Sequence, residues 1–130
     1  PIAPLQTLED IRNTIEYFIS NNLDSLFTVK TEQTQCVYEN KPVNFDEQKK
    51  FSQTQDLKPV FPLVHTIMMW RTNTFIDAYK KNGYAFFCGE VGYFPISRLS
   101  SIMIKYEDDF RIAEILLSSM NDGKKEITYY

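Results

Sequence analysis

The sequence predicts an α/β domain in which helices are layered on a mainly parallel sheet. Amphipathic segments of helical period alternate along the chain with short, compact apolar runs, and that alternation is the signature of the layered architecture. The 130 residues suffice for one hydrophobic core and not for two.

The first element is a helix over residues 8 to 21. Thr7 offers a side-chain cap, Glu9 and Asp10 place negative charge in the first turn, and Leu8, Ile11, Ile15, Phe18 and Ile19 recur at helical spacing. Asn21-Asn22 ends it. Leu26-Phe27-Thr28-Val29 is β-prone and reads as a buried strand. The segment from Thr31 to Leu63 is more polar. Gln35 to Tyr38 and Val43 to Phe45 flank a turn at Glu39-Asn40-Lys41-Pro42, a hairpin signature, and Asp46 to Gln55 reads as a solvated stretch. The segment is either a surface excursion or an arm that reaches a partner subunit.

Val64 to Trp70 is expected as a core strand. Thr72 or Thr74 is expected to cap a helix that turns Phe75, Ile76 and Tyr79 inward and stops at Asn82-Gly83. Ala85 to Ile96 holds one or two strands, with Gly89 and Gly92 marking bends or close backbone approach. Ile102 to Ile104 reads as a short strand. Glu107 to Met120 reads as a last helix packing Phe110, Ala113, Leu116 and Leu117, and Asn121 to Tyr130 as a loosely ordered tail.

Composition narrows the function classes. A net charge of -3 and a pI near 5.1 argue against a nucleic-acid binder. No apolar run is long enough to span a membrane and no signal peptide is visible, so Cys36 and Cys88 are expected as reduced thiols of a cytoplasmic protein. Neither GxGxxG nor GxxxxGK[ST] occurs, so the chain carries no nucleotide-phosphate loop of its own. The lone histidine, His65, reads as a packed strand residue, or else as a ligand contact. Gln53-Thr54-Gln55-Asp56-Leu57 is a dense polar cluster whose amides and carboxylate could hydrogen-bond sugar hydroxyls, or simply a solvated loop. Glu107, Asp108 and Asp109 read as dipole-stabilising first-turn acids, with ligation of a hard cation as the alternative. The chain opens Pro1-Ile2-Ala3-Pro4-Leu5 without a methionine, which reads as initiator removal or as a piece of a longer protein.

Several segments, in the same order, resemble the acylneuraminate cytidylyltransferase family, the CMP-sugar synthetases. Pro1 to Ile11 is similar to P-T-S-P-L-R-T-x-E-D-I, Asp24 to Val29 to D-S-[VL]-F-S-V, and Asn40 to Phe45 to N-G-K-P-[VI]-N-[FY]. Thr54-Gln55-Asp56-Leu57 is similar to R-x-Q-D-L, and Ser101 to Glu114 to S-I-D-I-D-T-x-x-D-F followed by R-x-A-E. The resemblance implies a Rossmann-like nucleotidyltransferase fold, here its C-terminal half as a partial domain, with Thr31 to Leu63 as a β-hairpin dimerisation arm. It implies CTP and an acidic nonulosonic sugar (sialic, legionaminic or pseudaminic type) as substrates, CMP-sugar and pyrophosphate as products, and a homodimer. The setting would be activation of sugars for surface polysaccharide. By that analogy Gln55 is the candidate sugar contact; Asp56 and His65 join it as candidate substrate contacts, and Lys105 either stands near a phosphate or points to solvent.

The departures from the family pattern matter equally. The family's Mg²⁺ is held by two aspartates whose places are taken here by Met103 and Lys105, so Mg²⁺ is doubtful in this chain. His65 stands where the family has a glycine. Two alternatives follow: a non-catalytic sugar-binding or assembly module, and a sugar nucleotidyltransferase using a different nucleotide.

Overall fold

The computed structural model describes residues 3–48 and 53–122. Its elements are helix α1 (Leu8–Ser20), strands β1 (Ser25–Val29), β2 (Val37–Tyr38), β3 (Lys41–Pro42) and β4 (Leu63–Trp70), helix α2 (Thr72–Asn82), strand β5 (Val91–Pro95) and helix α3 (Glu107–Asp122). A 3₁₀ turn over Thr54–Asp56 precedes β4. Residues 49–52 of the solvated stretch and the tail from residue 123 lie outside the described residues.

The sheet is mixed, not mainly parallel. Its order is β4-β1-β5. β1 runs parallel to β5, from Ser25 opposite Val91 to Val29 opposite Pro95. It runs antiparallel to β4, from Ser25 opposite Trp70 to Val29 opposite Leu63. The reason lies in the excursion between β1 and β4. It leaves and returns at the same end of β1, since the Lys30 N–H donates to Pro62 O at 3.0 Å and Glu32 pairs with Val60. With no crossover to carry it to the far end, β4 must run back antiparallel.

The β1–β4 register shifts between Phe27 and Val29. Thr28 fills the irregularity: its hydroxyl, fully buried, lies 2.5 Å from Val64 O and accepts from the Ile67 N–H at 3.1 Å. Side chains on a strand alternate between faces. Leu26 therefore points to the α1 side, where it packs with Phe18 and Leu23, and Tyr17 meets the Phe94 ring at 5.1 Å. Gly92 allows this approach, because a Cβ there would stand 2.2 Å from Leu23 Cδ1. The opposite face presents Ser25, Phe27 and Val29 of β1, Val91, Tyr93 and Pro95 of β5, and Trp70, Met68 and Leu63 of β4. Phe27 is covered there by Phe86 and Phe87, at ring distances of 4.9 and 4.6 Å.

Local details follow backbone chemistry. The hairpin turn is tighter than expected: Glu39 and Asn40 both have positive φ (48° and 59°), the two-residue turn whose twist suits a hairpin. Neither Thr72 nor Thr74 caps α2. Arg71 is its N-cap residue, without a side-chain cap, because the Thr74 hydroxyl instead donates to Asp24 Oδ1 at 2.8 Å. α2 buries no residue, and Ile76 and Tyr79 are exposed; only Phe75 turns to the sheet, edge-on to Trp70 at 5.7 Å. β4 is an edge strand with only Val64 buried, not a core strand.

Ile102 to Ile104 is not a strand. The segment follows a turn in which the Ile102 N–H donates to Leu99 O, and no strand stands beside it among the described residues. In α3, Ala113 is buried while Phe110 and Leu117 remain exposed. Cys36 and Cys88 are free thiols, and no described helix is long and apolar enough to cross a membrane.

Candidate functional site

A cleft of about 300 Å³ opens at the carboxyl ends of the two parallel strands. Lys30, Thr31, Glu32 and Gln33 enter it directly after β1, and Ile96, Arg98 and Ser101 directly after β5. Open parallel sheets place ligands at this end, where loops diverge and strand-end groups converge. The continuing ladder keeps the two walls together, with the Ile96 N–H donating to Val29 O at 3.0 Å.

Charge in the cleft is unbalanced. Lys30 Nζ lies 2.9 Å from Glu32 Oε1. The hydrogen bond from Lys30, then the charges of Lys30 and Arg98, hold the Glu32 carboxyl below its usual range. Two cations thus face one anion, and Arg98 makes no ion pair among the described residues. An anionic group would find a guanidinium, with the Gln33 amide and the Ser101 hydroxyl beside it for neutral polar groups.

Each wall is tied down. On the β1 side the Gln33 side-chain amide donates to Gln55 O and Leu57 O, both at 3.3 Å, fastening the 3₁₀ turn to the cleft. On the β5 side the loop from Ser97 to Ser101 is anchored by Asp10 in the first turn of α1. The Asp10 carboxylate accepts from the Ser97 N–H at 3.3 Å, from the Ser97 hydroxyl at 3.2 Å and from the Ser100 hydroxyl. Burial raises the Asp10 pKa, but the hydrogen bonds from Ser100, Thr7 and Ser97 outweigh it, so the carboxyl titrates below its usual value. The Ser101 hydroxyl donates to Arg98 O at 2.7 Å and closes the turn.

The expected contact residues divide. Gln55 and Asp56 sit in the 3₁₀ turn beside the cleft, both with exposed side chains. His65 is exposed on β4 with its ring 6.0 Å from that of Phe86, and it does not line the cleft. Lys105 is exposed as well; four residues past Ser101, it is not part of the cleft lining. The residues that do form the cleft, Lys30, Gln33, Arg98 and Ser101, escaped the sequence reading. Their signal was positional: each lies within a few residues past the carboxyl end of a strand in the parallel pair, which requires knowing the pairing.

The donor set at Met103 and Lys105 does not suit Mg²⁺. A thioether is soft and an ammonium only donates, whereas Mg²⁺ requires oxygen ligands. Asp109 is engaged elsewhere, since its Oδ2 accepts from the Lys105 and Tyr106 N–H groups at 2.9 Å each. Those two bonds, in that order, hold its pKa below the usual range. No group of three or more potential ligating His, Cys, Asp or Glu side chains is found among the described residues.

No family model and no curated protein matches this chain.

Proposed function

We propose that the chain is the sugar-side half of a cytidylyltransferase-like protein with a Rossmann-like fold, and that the cleft between Lys30 and Arg98 binds the acidic nonulosonic sugar. One observation carries the reading: a cleft with excess positive charge lies at the carboxyl ends of two parallel strands. Arg98, which makes no ion pair among the described residues, suits the sugar's carboxylate, and Gln33, Ser101 and the adjoining Gln55 turn suit its hydroxyls. In this reading CTP is the second substrate, and the β2–β3 hairpin is an arm for a second subunit. The ligand chemistry of Met103 and Lys105 favours the second reading, a sugar-binding module without catalysis.

Calorimetric titration with N-acetylneuraminic acid, its methyl ester and neutral N-acetylmannosamine tests the binding claim. Binding of the free acid alone, weakened about tenfold or more by Arg98→Ala, is the expected result. Equal binding of acid and ester, or no loss in the Arg98 variant, would sink it. Pyrophosphate release from CTP and the acid separates the two readings: release supports the transferase, and its absence alongside binding supports the module.

A further inference from the structure

The backbone pairing that follows β1 stops at Glu32 and Val60. Among the described residues, what holds residues 54–58 against the β1 exit beyond that bridge is a pair of side-chain amides. Gln33 Nε2 donates to Gln55 O and Leu57 O, both at 3.3 Å, and Asn44 Nδ2 donates to Lys58 O at 3.1 Å. A single 3₁₀ turn leaves most of its carbonyls without donors of its own, so they must find them elsewhere.

Asn44 lies just past the β2–β3 hairpin and binds in three directions. Its second N–H donates to Thr34 O at 2.8 Å, and its Oδ1 accepts from the Cys36 N–H at 2.9 Å. A side-chain amide has two N–H donors, and both are committed here. One half-buried side chain thus joins the two legs of the hairpin to the turn that carries Gln55 and Asp56. Leu57 in that turn is buried, and Gln33, the other half of the brace, is itself part of the cleft lining.

We propose that Asn44 is a positioning residue for the cleft: with Gln33 it braces residues 54–58 against the β1 exit, so that Gln55 stands ready beside a bound sugar. The inference rests on the sugar-binding reading. Arg98 reads the carboxylate from the β5 wall, and the braced turn completes the opposite wall, where the hydroxyls are met. A turn ordered before binding spares the ligand the entropy of ordering it.

Calorimetric titration of Asn44 variants with N-acetylneuraminic acid and its methyl ester tests the brace. Asn44→Asp keeps an acceptor for the Cys36 N–H and loses both donors, while Asn44→Ala loses everything. Both should raise Kd for the acid about tenfold at unchanged stoichiometry, because the turn must then be ordered on binding. The preference for acid over ester should persist, since Arg98 is untouched. Amide exchange at Asp56, whose N–H donates to Gln53 O at 3.0 Å, should quicken. Added to Gln55→Ala, Asn44→Ala should cost less than about twofold more, because it acts through the turn. Tyr38→Ala, on the exposed hairpin, should leave Kd unchanged. An unaltered Kd in both Asn44 variants would overturn the proposal and spare the sugar reading. So would a fall in stoichiometry at constant Kd, full additivity with Gln55→Ala, or an equal loss from Tyr38→Ala. A wild-type chain that binds neither compound would instead overturn the sugar reading, and the positioning role with it.

Discussion

The Asp10 carboxylate accepts a hydrogen bond from the hydroxyl of Ser100, 90 residues further along the chain. The same carboxylate accepts from the Thr7 hydroxyl at 2.6 Å, while Thr7 Oγ1 accepts from the Asp10 N–H at 3.1 Å, so Asp10 serves the helix cap through its backbone and the tertiary anchor through its side chain. Asp10→Ala removes the anchor and the acceptor of the Thr7 hydroxyl, keeps the backbone cap from the Asp10 N–H to Thr7 Oγ1, and leaves the buried Ser100 hydroxyl with Leu5 O at 3.2 Å as its remaining acceptor. Hydrogen bonds to charged groups are worth about 1.5–3 kcal/mol each and overlap here, so a loss of about 3 kcal/mol in chemical denaturation is expected. The acid limb of stability should respond as well. Because Asp10 titrates lower folded than unfolded, its stabilisation is complete above the unfolded value near 3.9 and disappears as pH falls through the folded one. Asp10→Asn should flatten stability against pH in that acidic window, and an unchanged slope would contradict it.

Gly92 and Leu23 form a second constraint. An added Cβ would lie 2.2 Å from Leu23 Cδ1 and 3.1 Å from Cδ2, and Leu23 is itself buried against Leu26 and Phe18. Gly92→Ala should destabilise by about 1–3 kcal/mol through overpacking. Combined with Leu23→Ala, which vacates the space, it should add much less than it does alone, and a double-mutant cycle measures that coupling. Strict additivity would show that the two do not compete for one volume.

How far the chain could be read before its structure depended on whether the information was local. Thr7 with Asp10, the apolar period of α1, Gly83 as the left-handed stop of α2 and the acidic start of α3 all act within a turn or two. Their elements stand where the spacing put them. The direction of β4 is set instead by where the excursion re-enters, through Lys30 with Pro62 and Glu32 with Val60, and no local pattern records that. Ile102 to Ile104 misled because three apolar residues in a row fit a strand or a packed coil equally, and a strand needs a neighbour. The cleft was hidden for the same reason. Lys30 and Arg98 are ordinary surface cations until β1 and β5 are known to lie side by side.

Asp109 stands at the third position of α3 and reaches back to the N–H groups of Lys105 and Tyr106. This is the returning half of a capping box, serving donors that the helix itself cannot satisfy. Asp109→Ala should lower Tm measurably through loss of the cap. Amide exchange at Lys105 and Tyr106 should quicken with it. Asp108→Ala, one residue earlier and exposed, should do neither; equal effects from both would make the contribution one of general helix charge.

The Lys30–Glu32 pair sets how much positive charge the cleft can offer. Glu32 lies within reach of Lys30 at 2.9 Å and its carboxyl is held below the usual range by that hydrogen bond, so at neutral pH it offsets one of the two cations. Glu32→Gln keeps the shape and removes that offset. With both residues partly exposed, at 40% and 39%, the coupling is that of a surface pair. An acidic sugar should bind about three- to tenfold tighter to the variant at low salt, the gain shrinking as ionic strength rises and the Debye length contracts. The neutral analogue should show no change. Weaker binding of the acid would mean that Glu32 accepts hydrogen bonds from the ligand rather than competing with it for Lys30.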